Sequence, residues 1–167
     1  MIKKLNPYLS KKYGFFMKTL RATSQHLEQL IALFDAYRVF YKQTSDIDAA
    51  RKFLAERFQK NDSVIFIAFS SEEQLVGFTQ LYPSFSSVSM QRTYILNDLY
   101  VASEARKQGI GEALLEHAKQ FAIHQGSKGL ILETAVENPA QKLYKRLGWK
   151  KDIGVQHYAW EIQSSDK

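Results

Sequence analysis

Cysteine is absent from the 167-residue sequence, which excludes disulfide bonds, thiolate metal sites and a cysteine nucleophile. No apolar run approaches the length needed to span a bilayer, and the lysine-bearing N-terminus lacks the uninterrupted apolar core of a signal peptide. Internal repeats and low-complexity tracts are also missing. We therefore expect a cytoplasmic protein that works without a membrane, without a metal and without thiol chemistry of its own.

The composition is that of a folded protein, with 45% apolar and 24% charged residues in a length that suits one domain. The net charge of +6 favours anionic partners. A cofactor with several phosphates would explain this charge as well as nucleic acid would. We expect no nucleic-acid partner, because no basic helix with interleaved aromatic residues is present. Residues 1–16 lack periodicity and are interpreted as an N-terminal extension, with a basic arm for a membrane or nucleic acid as the alternative. The domain is expected to cover residues 17–163, followed by a tail at 164–167.

Hydrophobic periodicity predicts a single α/β domain in which one mixed, mostly antiparallel sheet of about seven strands has helices on both faces. Thr23 or Ser24 is the expected cap of the first helix of an N-terminal helix pair, and Ser45-x-x-Asp48 has the pattern of a capping box for the second. A strand, a helix and another strand follow, so a central βαβ unit with parallel strands is expected. The predicted strands cover residues 18–22, 63–70, 75–82, 92–101, 130–136, 149–153 and 155–162, with a loop at 83–90.

The central βαβ unit carries the most informative stretch. Its first strand ends near Val101, its helix opens near Gly109, and the loop between them includes Arg106-Lys107-Gln108. Backbone N–H groups in the first helical turn have no intrahelical partner, glycines let a phosphate approach the backbone, and the two basic side chains add charge. This arrangement predicts a site for a phosphorylated ligand.

Two common phosphate motifs do not fit this loop. A nucleotide P-loop needs Lys-Ser or Lys-Thr after its last glycine, where this sequence has Glu112 and Ala113. A dinucleotide fingerprint needs a third glycine where Leu114 stands, although Glu133 could mimic the ribose-binding acid. An ordinary strand-loop-helix whose glycine serves packing is the remaining alternative.

The pattern Arg-x-x-Gly-x-Gly, after a strand that ends in Val101, resembles the pyrophosphate-binding loop of the GNAT superfamily of acetyl-coenzyme A-dependent N-acyltransferases. A later segment is similar to a second signature of that superfamily, in which an Asn and a Tyr face the coenzyme. Leu143-Tyr144, Gly148 and Trp149 match it by position. Asn138 stands one residue closer to the tyrosine than is usual, and we predict that it caps the helix and also contacts coenzyme A. The resemblance covers nearly all of the chain.

This resemblance implies a homodimeric enzyme that moves acetyl from acetyl-coenzyme A to a primary amine of a small molecule or peptide, by direct attack on the thioester. It implies that Tyr144 assists the leaving thiolate, and that backbone N–H groups at a bulge near Leu99 stabilise the oxyanion. The residues expected to contact the coenzyme are Leu99, Val101, Arg106, Lys107, Gln108, Gly109, Ile110, Gly111, Glu112, Asn138 and Tyr144.

The general base is where the sequence departs from the superfamily. In the branch that resembles diamine acetyltransferases, which is nearest in motif, the central strand reads Leu-Glu-Asp with the Glu as the base; this sequence has Leu96-Asn97-Asp98. Asn97 cannot accept a proton, and strand alternation predicts that Asp98 points to the opposite face. The catalytic candidates are Tyr144, Asn97 and Asp98. Asp98 could instead be structural, and a water chain, His157 or His26 could serve as the base.

Two rival functions remain. Asn97 in place of a base suggests a GNAT-like domain that senses acyl-coenzyme A without turnover, and a nicotinamide- or nucleotide-binding domain is the second rival. The acceptor pocket is expected between the first helix pair, the loop at residues 83–90 and the final strands, because loops on a rigid scaffold carry specificity. The sequence does not name the acceptor.

Overall fold

The computed structural model describes residues 8–10 and 17–162. The chain divides into two compact units, Met1–Glu133 and Thr134–Lys167, and each is described by itself. None of the described helices is long and apolar enough to cross a membrane. Within the same described residues, no group of three or more His, Asp or Glu side chains is placed to hold a metal ion.

The first unit is built on one sheet in which the strands follow in chain order from β1 to β6. All neighbours are antiparallel except β5 and β6, which are parallel and joined through a helix. The predicted mixed, mostly antiparallel sheet with a central βαβ unit is therefore confirmed. The strands are β1 (Tyr8–Ser10), β2 (Met17–Arg21), β3 (Val64–Phe69), β4 (Leu75–Ser86), β5 (Gln91–Val101) and β6 (Leu130–Ile131).

The described sheet has fewer strands than the predicted number of about seven. Five strands run from Met17 onward, and the three-residue β1 precedes them. Strand β1 lies in the segment interpreted as an extension without strand periodicity, and it pairs with β2 at the edge of the sheet. Strand β6 is shorter than the predicted 130–136, and Ile131 is 55% exposed where a buried side chain was expected.

The predicted final strand pair is wrong, because residues 149–162 form neither strand nor helix. The apolar residues that suggested two strands stay in solvent: Ile153 is 89% exposed and Tyr158 is 83% exposed. A two-stranded ribbon is marginal unless it buries an apolar face. Alternation alone therefore overstated the strand content at this end of the chain.

Helices cover both faces of the sheet in the first unit, as predicted. Helices α1 (Leu27–Phe40) and α2 (Ile47–Lys60) lie on one face, where Phe34 packs against Phe78 of β4. Helix α3 (Ile110–His124) lies on the other face, where Phe121 packs against Phe66 of β3. The register confirms the two faces, because Phe78 pairs with Ile67, whose neighbour Phe66 points the opposite way.

The helix ends show which capping predictions hold. Thr23, predicted as a cap of the first helix, is the N-cap of a 3₁₀ turn that leads into α1, and the N-cap of α1 itself is His26. Helix α2 is capped by Asp46, whose carboxylate accepts the backbone N–H of Ala49 at 2.9 Å. Ser45 of the predicted capping box instead donates its hydroxyl to a carboxylate on α1. Gly126, with φ of 59°, follows the end of α3, as predicted.

Strand β4 extends to Ser86, beyond the predicted end at residue 82, and a short turn leads into β5. Pro83 is tolerated in the strand because β3 pairs with β4 only as far as Leu81, so no ladder bond on that side is lost. A hairpin therefore replaces most of the loop predicted at 83–90.

The second unit contains α4 (Gln141–Arg146). Asn138 was predicted as the N-cap of this helix, but the N-cap is Ala140; the side-chain oxygen of Asn138 accepts the backbone N–H of Ala140 at 2.9 Å and so closes the turn before the helix. Gly148 follows the helix with φ of 83°, the left-handed conformation expected of a residue that ends a helix.

Candidate active site

A β-bulge lies in the middle of β5. Gln80 of β4 pairs with Asp98, and the next residue, Leu81, pairs with Leu96, so Asn97 is an extra residue outside the register. The bulge expected near Leu99 is therefore present, two residues earlier along the strand. It interrupts the ladder in the centre of the sheet.

The bulge reverses the facing of the residues that follow it. Tyr94 packs against Phe121 of α3, whereas Tyr100 packs against Tyr37 of α1, although strict alternation would keep both tyrosines on one face. The prediction that Asp98 points away from Asn97 is therefore wrong. Both residues line the same cavity on the α1–α2 face.

Asp98 is a buried carboxylate, only 4% exposed. The amide of Asn97 donates to Asp98 Oδ1 at 3.1 Å, and the hydroxyl of Tyr37 interacts with the same carboxylate. Burial raises the pKa of Asp98, and the hydrogen bonds from Tyr37 and Asn97 oppose that rise because they favour the ionised form. Burial and the nearby Asp98 charge also raise the pKa of Tyr82 to about 12, so this phenol stays protonated at neutral pH.

A cavity of about 380 Å³ lies between the helix pair and the bulge. Most of its lining is aromatic or small and apolar, and two side chains carry formal charge, Arg38 and Asp98. The helix pair and the central strands line this cavity, whereas the predicted acceptor pocket also included the 83–90 loop, which contributes no lining residue. The lining residues are Phe34, Arg38, Ala49, Ala50, Phe53, Tyr82, Asn97 and Asp98.

Asp35 fixes the shape of this pocket, here called the acceptor pocket. Its carboxylate, 5% exposed as a residue, accepts the hydroxyl of Ser45 at 2.6 Å, the backbone N–H of Asp46 at 2.9 Å and Nη1 of Arg38 at 3.2 Å. These donors, led by the Ser45 hydroxyl, lower the pKa of Asp35, so the carboxylate stays ionised. The network ties α1 to the start of α2 and holds Arg38 beside the pocket.

The loop between β5 and α3 has the geometry of an anion site. Lys107 and Gly109 adopt left-handed φ values of 64° and 84°, and Gly109 is the N-cap of α3. The first hydrogen bond of the helix runs from Ala113 N to Gly109 O at 3.0 Å. The backbone N–H groups of Ile110 and Gly111 come before this bond, so they have no acceptor within the helix. The 15-residue helix adds the positive end of its dipole.

Gly77 of β4 lets α3 approach the sheet at this end. A Cβ atom on Gly77 would lie 3.0 Å from Ile110 Cγ2 and 3.2 Å from Leu114 Cδ1. Gly77 also pairs with Val101 at the end of β5. The missing side chain therefore brings the first turn of α3 beside the end of the bulged strand.

Arg106 stabilises the same loop. Its Nε donates to the carbonyl of Val101 at 3.0 Å, and its guanidinium lies 5.4 Å from the ring centre of Phe40 and 5.7 Å from that of Tyr100. These contacts join the loop to β5 and to the end of α1. The contact of Arg106 and Lys107 with a coenzyme stays a prediction.

In the second unit, Tyr144 lies on α4 with its side chain partly buried. Its ring is 6.0 Å from the ring of Trp149, and the backbone N–H of Trp149 donates to the carbonyl of Tyr144 at 3.0 Å. The second signature therefore forms one compact, capped helical turn. The roles of Tyr144 and Asn138 toward the coenzyme stay predictions.

A strand, a bulge and a glycine-bearing loop before a helix agree with what comparisons with known proteins find. The sequence profile of the acetyltransferase (GNAT) family matches residues 27–149. The chain belongs to the GNAT acetyltransferase family. Over 147 residues this GNAT enzyme is 44% identical to an uncharacterized N-acetyltransferase of Bacillus subtilis (strain 168), YhfO, covering 87% of this chain and 98% of the relative.

Two further similarities support the family assignment of this GNAT acetyltransferase. The chain is 36% identical over 119 residues to a probable acetyltransferase of Haemophilus influenzae, covering 71% of this chain and 82% of the relative. The crystal structure of a probable acetyltransferase matches the fold with a TM-score of 0.83 at 43% identity, covering 87% of this chain and 98% of that one.

Asp35, Arg38 and Gly77 shape the candidate site of this GNAT acetyltransferase, yet no motif points to them. Asp35 could have been found because it is an acidic residue next to the apolar stripe of α1. A carboxylate buried at such a position needs hydrogen-bond partners. The signal for Gly77 was a glycine within a strand, which often marks a close approach of another segment. Arg38 follows Asp35 by three residues, which places the two side chains together on a helix.

Proposed function

We propose that this enzyme moves acetyl from acetyl-coenzyme A to the primary amine of a small molecule or peptide by direct attack of the amine on the thioester. The observation that carries the proposal is the bulge at Asn97, which opens into the acceptor pocket in the strand that leads to the anion-binding loop. Strand β5 thus joins a pocket suited to an acceptor with a loop suited to a phosphorylated donor.

The residues around the start of α3 fit the pyrophosphate of coenzyme A, because their N–H groups, left-handed glycine and helix dipole converge on one place. We assign Leu99 and Val101 to the pantetheine arm through backbone groups. Bound acetyl-coenzyme A supplies the activated acetyl thioester. The residues assigned to the pyrophosphate, through backbone groups and charge, are Arg106, Lys107, Gln108, Gly109, Ile110, Gly111 and Glu112.

The acceptor must lose a proton before it attacks, because an alkylammonium with a pKa of ~10.4 is only about one part in a thousand neutral at pH 7. We assign Asp98 to bind this ammonium and to accept its proton, directly or through water. Asn97 donates to Asp98 Oδ1 and so orients the carboxylate. The amine nitrogen forms the new C–N bond, the C–S bond breaks, and the coenzyme leaves as a thiolate that then takes up a proton.

Tyr144 is the candidate that assists the leaving thiolate. A thiol pKa of ~8.5 and a phenol pKa of ~10 make full proton transfer uphill by roughly 2 kcal/mol, so the phenol stabilises the thiolate first by a hydrogen bond. We expect Tyr144→Phe to lower kcat with little change in coenzyme affinity. Unchanged turnover with several acceptors would remove Tyr144 from the mechanism.

Other features rest on the resemblance or the sequence alone. We propose a cytoplasmic homodimer whose domain covers residues 17–163, and light scattering on the purified chain measures the oligomeric state. We also propose that Asn138 contacts coenzyme A, which predicts weaker coenzyme binding in Asn138→Ala. A diamine, the acceptor suggested by Leu96-Asn97-Asp98, belongs among the amines to be assayed.

A second candidate function is a sensor that binds acyl-coenzyme A without turnover. The observation in its favour is Asn97, an amide that cannot act as a base at the bulge. The sensor and the enzyme both predict a coenzyme site. Only the enzyme predicts that an amine causes release of free thiol.

The test has two steps. Thermal unfolding is first measured with acetyl-coenzyme A, coenzyme A, NAD or ATP, because a ligand that binds only the native state raises the melting temperature. Stabilisation by the two coenzymes alone supports the donor site, whereas stabilisation by NAD or ATP alone contradicts it. Amine-dependent thiol release is then measured across a panel of amines, and its absence with every amine would favour the sensor.

A further inference from the structure

We propose that the acceptor is a primary amine that also carries a carboxylate, with Asp98 binding the amine and Arg38 binding the carboxylate in the acceptor pocket that both residues line. This inference rests on the proposed acetyl transfer and narrows its substrate to the class of amino acids and their derivatives. It follows from the charges, the lining and the size of one cavity.

The guanidinium of Arg38 is held in place beside the cavity. Its Nη1 donates to Asp35 Oδ1 at 3.2 Å, and the Arg38 side chain is 27% exposed. A guanidinium has five N–H donors in a planar fork, and the bond to Asp35 uses one of them. Because Asp35 also accepts from Ser45 and Asp46, its position is fixed independently of Arg38. Arg38 is therefore preorganised for a second, planar anion.

Asp98 is the other charged side chain on the wall of the cavity, and it lies at the bulge, where the reaction is proposed to occur. Its carboxylate suits an ammonium group, while Arg38 suits a carboxylate. An acceptor with one charge of each sign matches both residues at once. A diamine or an aminoglycoside, which carries only positive charge, would bring an unpaired cation toward Arg38.

The rest of the cavity suits an acceptor whose apolar side chain lies between or beside the groups bound by Asp98 and Arg38. Phe34 and Phe53 stack with ring centres 5.5 Å apart, and Ala49 and Ala50 leave room beside them. The volume of about 380 Å³ is at the small end of ligand pockets, which fits an amino acid better than a folded protein segment. We therefore favour acceptors with an aliphatic or aromatic side chain.

The test compares each amino acid with its own carboxamide in the thiol-release assay. The carboxamide keeps the amine and the side chain but lacks the negative charge, and its amine is less basic, so intrinsic reactivity at neutral pH favours the carboxamide. We expect the wild type to reverse this order, with kcat/KM at least about tenfold higher for the acid. Diamines and an aminoglycoside are included as cationic acceptors.

Arg38→Gln should lower kcat/KM for the acid at least about tenfold more than for the carboxamide, and so remove the preference for the acid. Arg51→Gln is the matched control, since Arg51 lies on α2, is exposed and pairs with Glu28 outside the pocket. We expect this control to keep the wild-type preference. Arg38→Lys, which keeps the charge and loses the planar fork, should give an intermediate ratio. Thermal unfolding of each variant with acetyl-coenzyme A confirms a folded donor site.

The outcomes separate this inference from the function on which it rests. Thiol release that favours diamines, aminoglycosides or carboxamides would overturn the amino-acid acceptor and leave acetyl transfer intact. An acid preference that persists in Arg38→Gln would overturn the role of Arg38 as the carboxylate-binding group. Coenzyme binding without thiol release for any amine would overturn both proposals.

Discussion

The two faces of the sheet in the first unit are built for different tasks. On the α3 face, Leu114, Leu115 and Ala118 are fully buried, and Gly77 lets the helix touch the strand. On the α1–α2 face, aromatic rings surround a cavity, and two buried carboxylates, Asp35 and Asp98, are held by hydrogen bonds. The α1–α2 face also has an apolar core, which includes Leu30, Leu54 and Phe78, but it has in addition the cavity and the two carboxylates. The α3 face buries neutral polar groups such as Thr19 and His117 within its close packing.

This difference shows how the fold separates positioning from chemistry. Close packing fixes the start of α3, where the proposed coenzyme site is lined by backbone groups and would tolerate little displacement. Charged side chains need partners and room for a ligand, which a close-packed interior does not provide. The bulge at Asn97 changes the phase of the alternation along β5, so Tyr94 before it meets α3 and Tyr100, six residues later, meets α1.

The largest expected effect is the loss of coenzyme binding in Gly109→Asp or Gly111→Asp, because the carboxylate would occupy and repel the site of the pyrophosphate. The matched control for Gly109 is Gly126→Asp, since both glycines flank α3 with left-handed φ values of 84° and 59°. Each should cost about 1 kcal/mol of stability. We expect acetyl-coenzyme A to raise the melting temperature of the Gly126 variant only; an equal rise in the Gly109 variant would refute the loop assignment.

Asp98→Asn should lower kcat/KM by about a hundredfold or more, the effect expected for losing a group that moves a proton. Because burial raises the pKa of Asp98, its ionised form is disfavoured in the folded state, and a neutral isostere should leave the melting temperature at neutral pH unchanged or higher. Asp48→Asn, at an exposed position on α2, is the control. A lower melting temperature with normal turnover would make Asp98 structural.

Leu114→Ala should reduce the free energy of unfolding by about 3 kcal/mol, because Leu114 is fully buried and its truncation leaves a cavity on the close-packed face. Ile123→Ala on the same helix, where Ile123 is 66% exposed, should change it by less than about 0.5 kcal/mol. Urea titration measures both. Similar losses in the two variants would contradict the close packing ascribed to the α3 face.

The smallest expected effect is a pH dependence from His117, which is 2% exposed on α3 and whose Nδ1 lies 3.0 Å from the hydroxyl of Thr19. Burial lowers its pKa from 6.5 to about 4, so the unfolded chain binds more protons between these values. Stability should therefore fall as pH drops from about 6.5 toward about 4, by at most about 1.4 kcal/mol for each pH unit.

His117→Gln should flatten this part of the pH profile when urea midpoints are measured across that range. The lowered pKa of Asp35 acts in the same direction but only below its ordinary value of 3.8, so its contribution falls outside the window. An unchanged slope in His117→Gln would assign the acid sensitivity to another group.

Local patterns in the sequence located the elements that form by themselves or nearly so. The helical stripes, Thr23 as a cap, the glycine ends of α3 and α4 and the strand-loop-helix before Ile110 all depend on neighbours within a few residues. The final strand pair failed because strands need a partner to bury against, and alternation does not show whether one is present. Pro83 and the serines after it suggested a loop, and only the end of β3 makes a strand acceptable there.

By itself, the sequence determined the βαβ unit, the glycine-bearing loop before α3 and the family to which the chain belongs, because glycine spacing and helix caps act through adjacent residues. Only the tertiary structure decided that Asn97 and Asp98 face one cavity and that Asp35 holds Arg38 beside it. A one-residue bulge changes the facing of every residue beyond it, and the pairing that creates it involves a strand some twenty residues away.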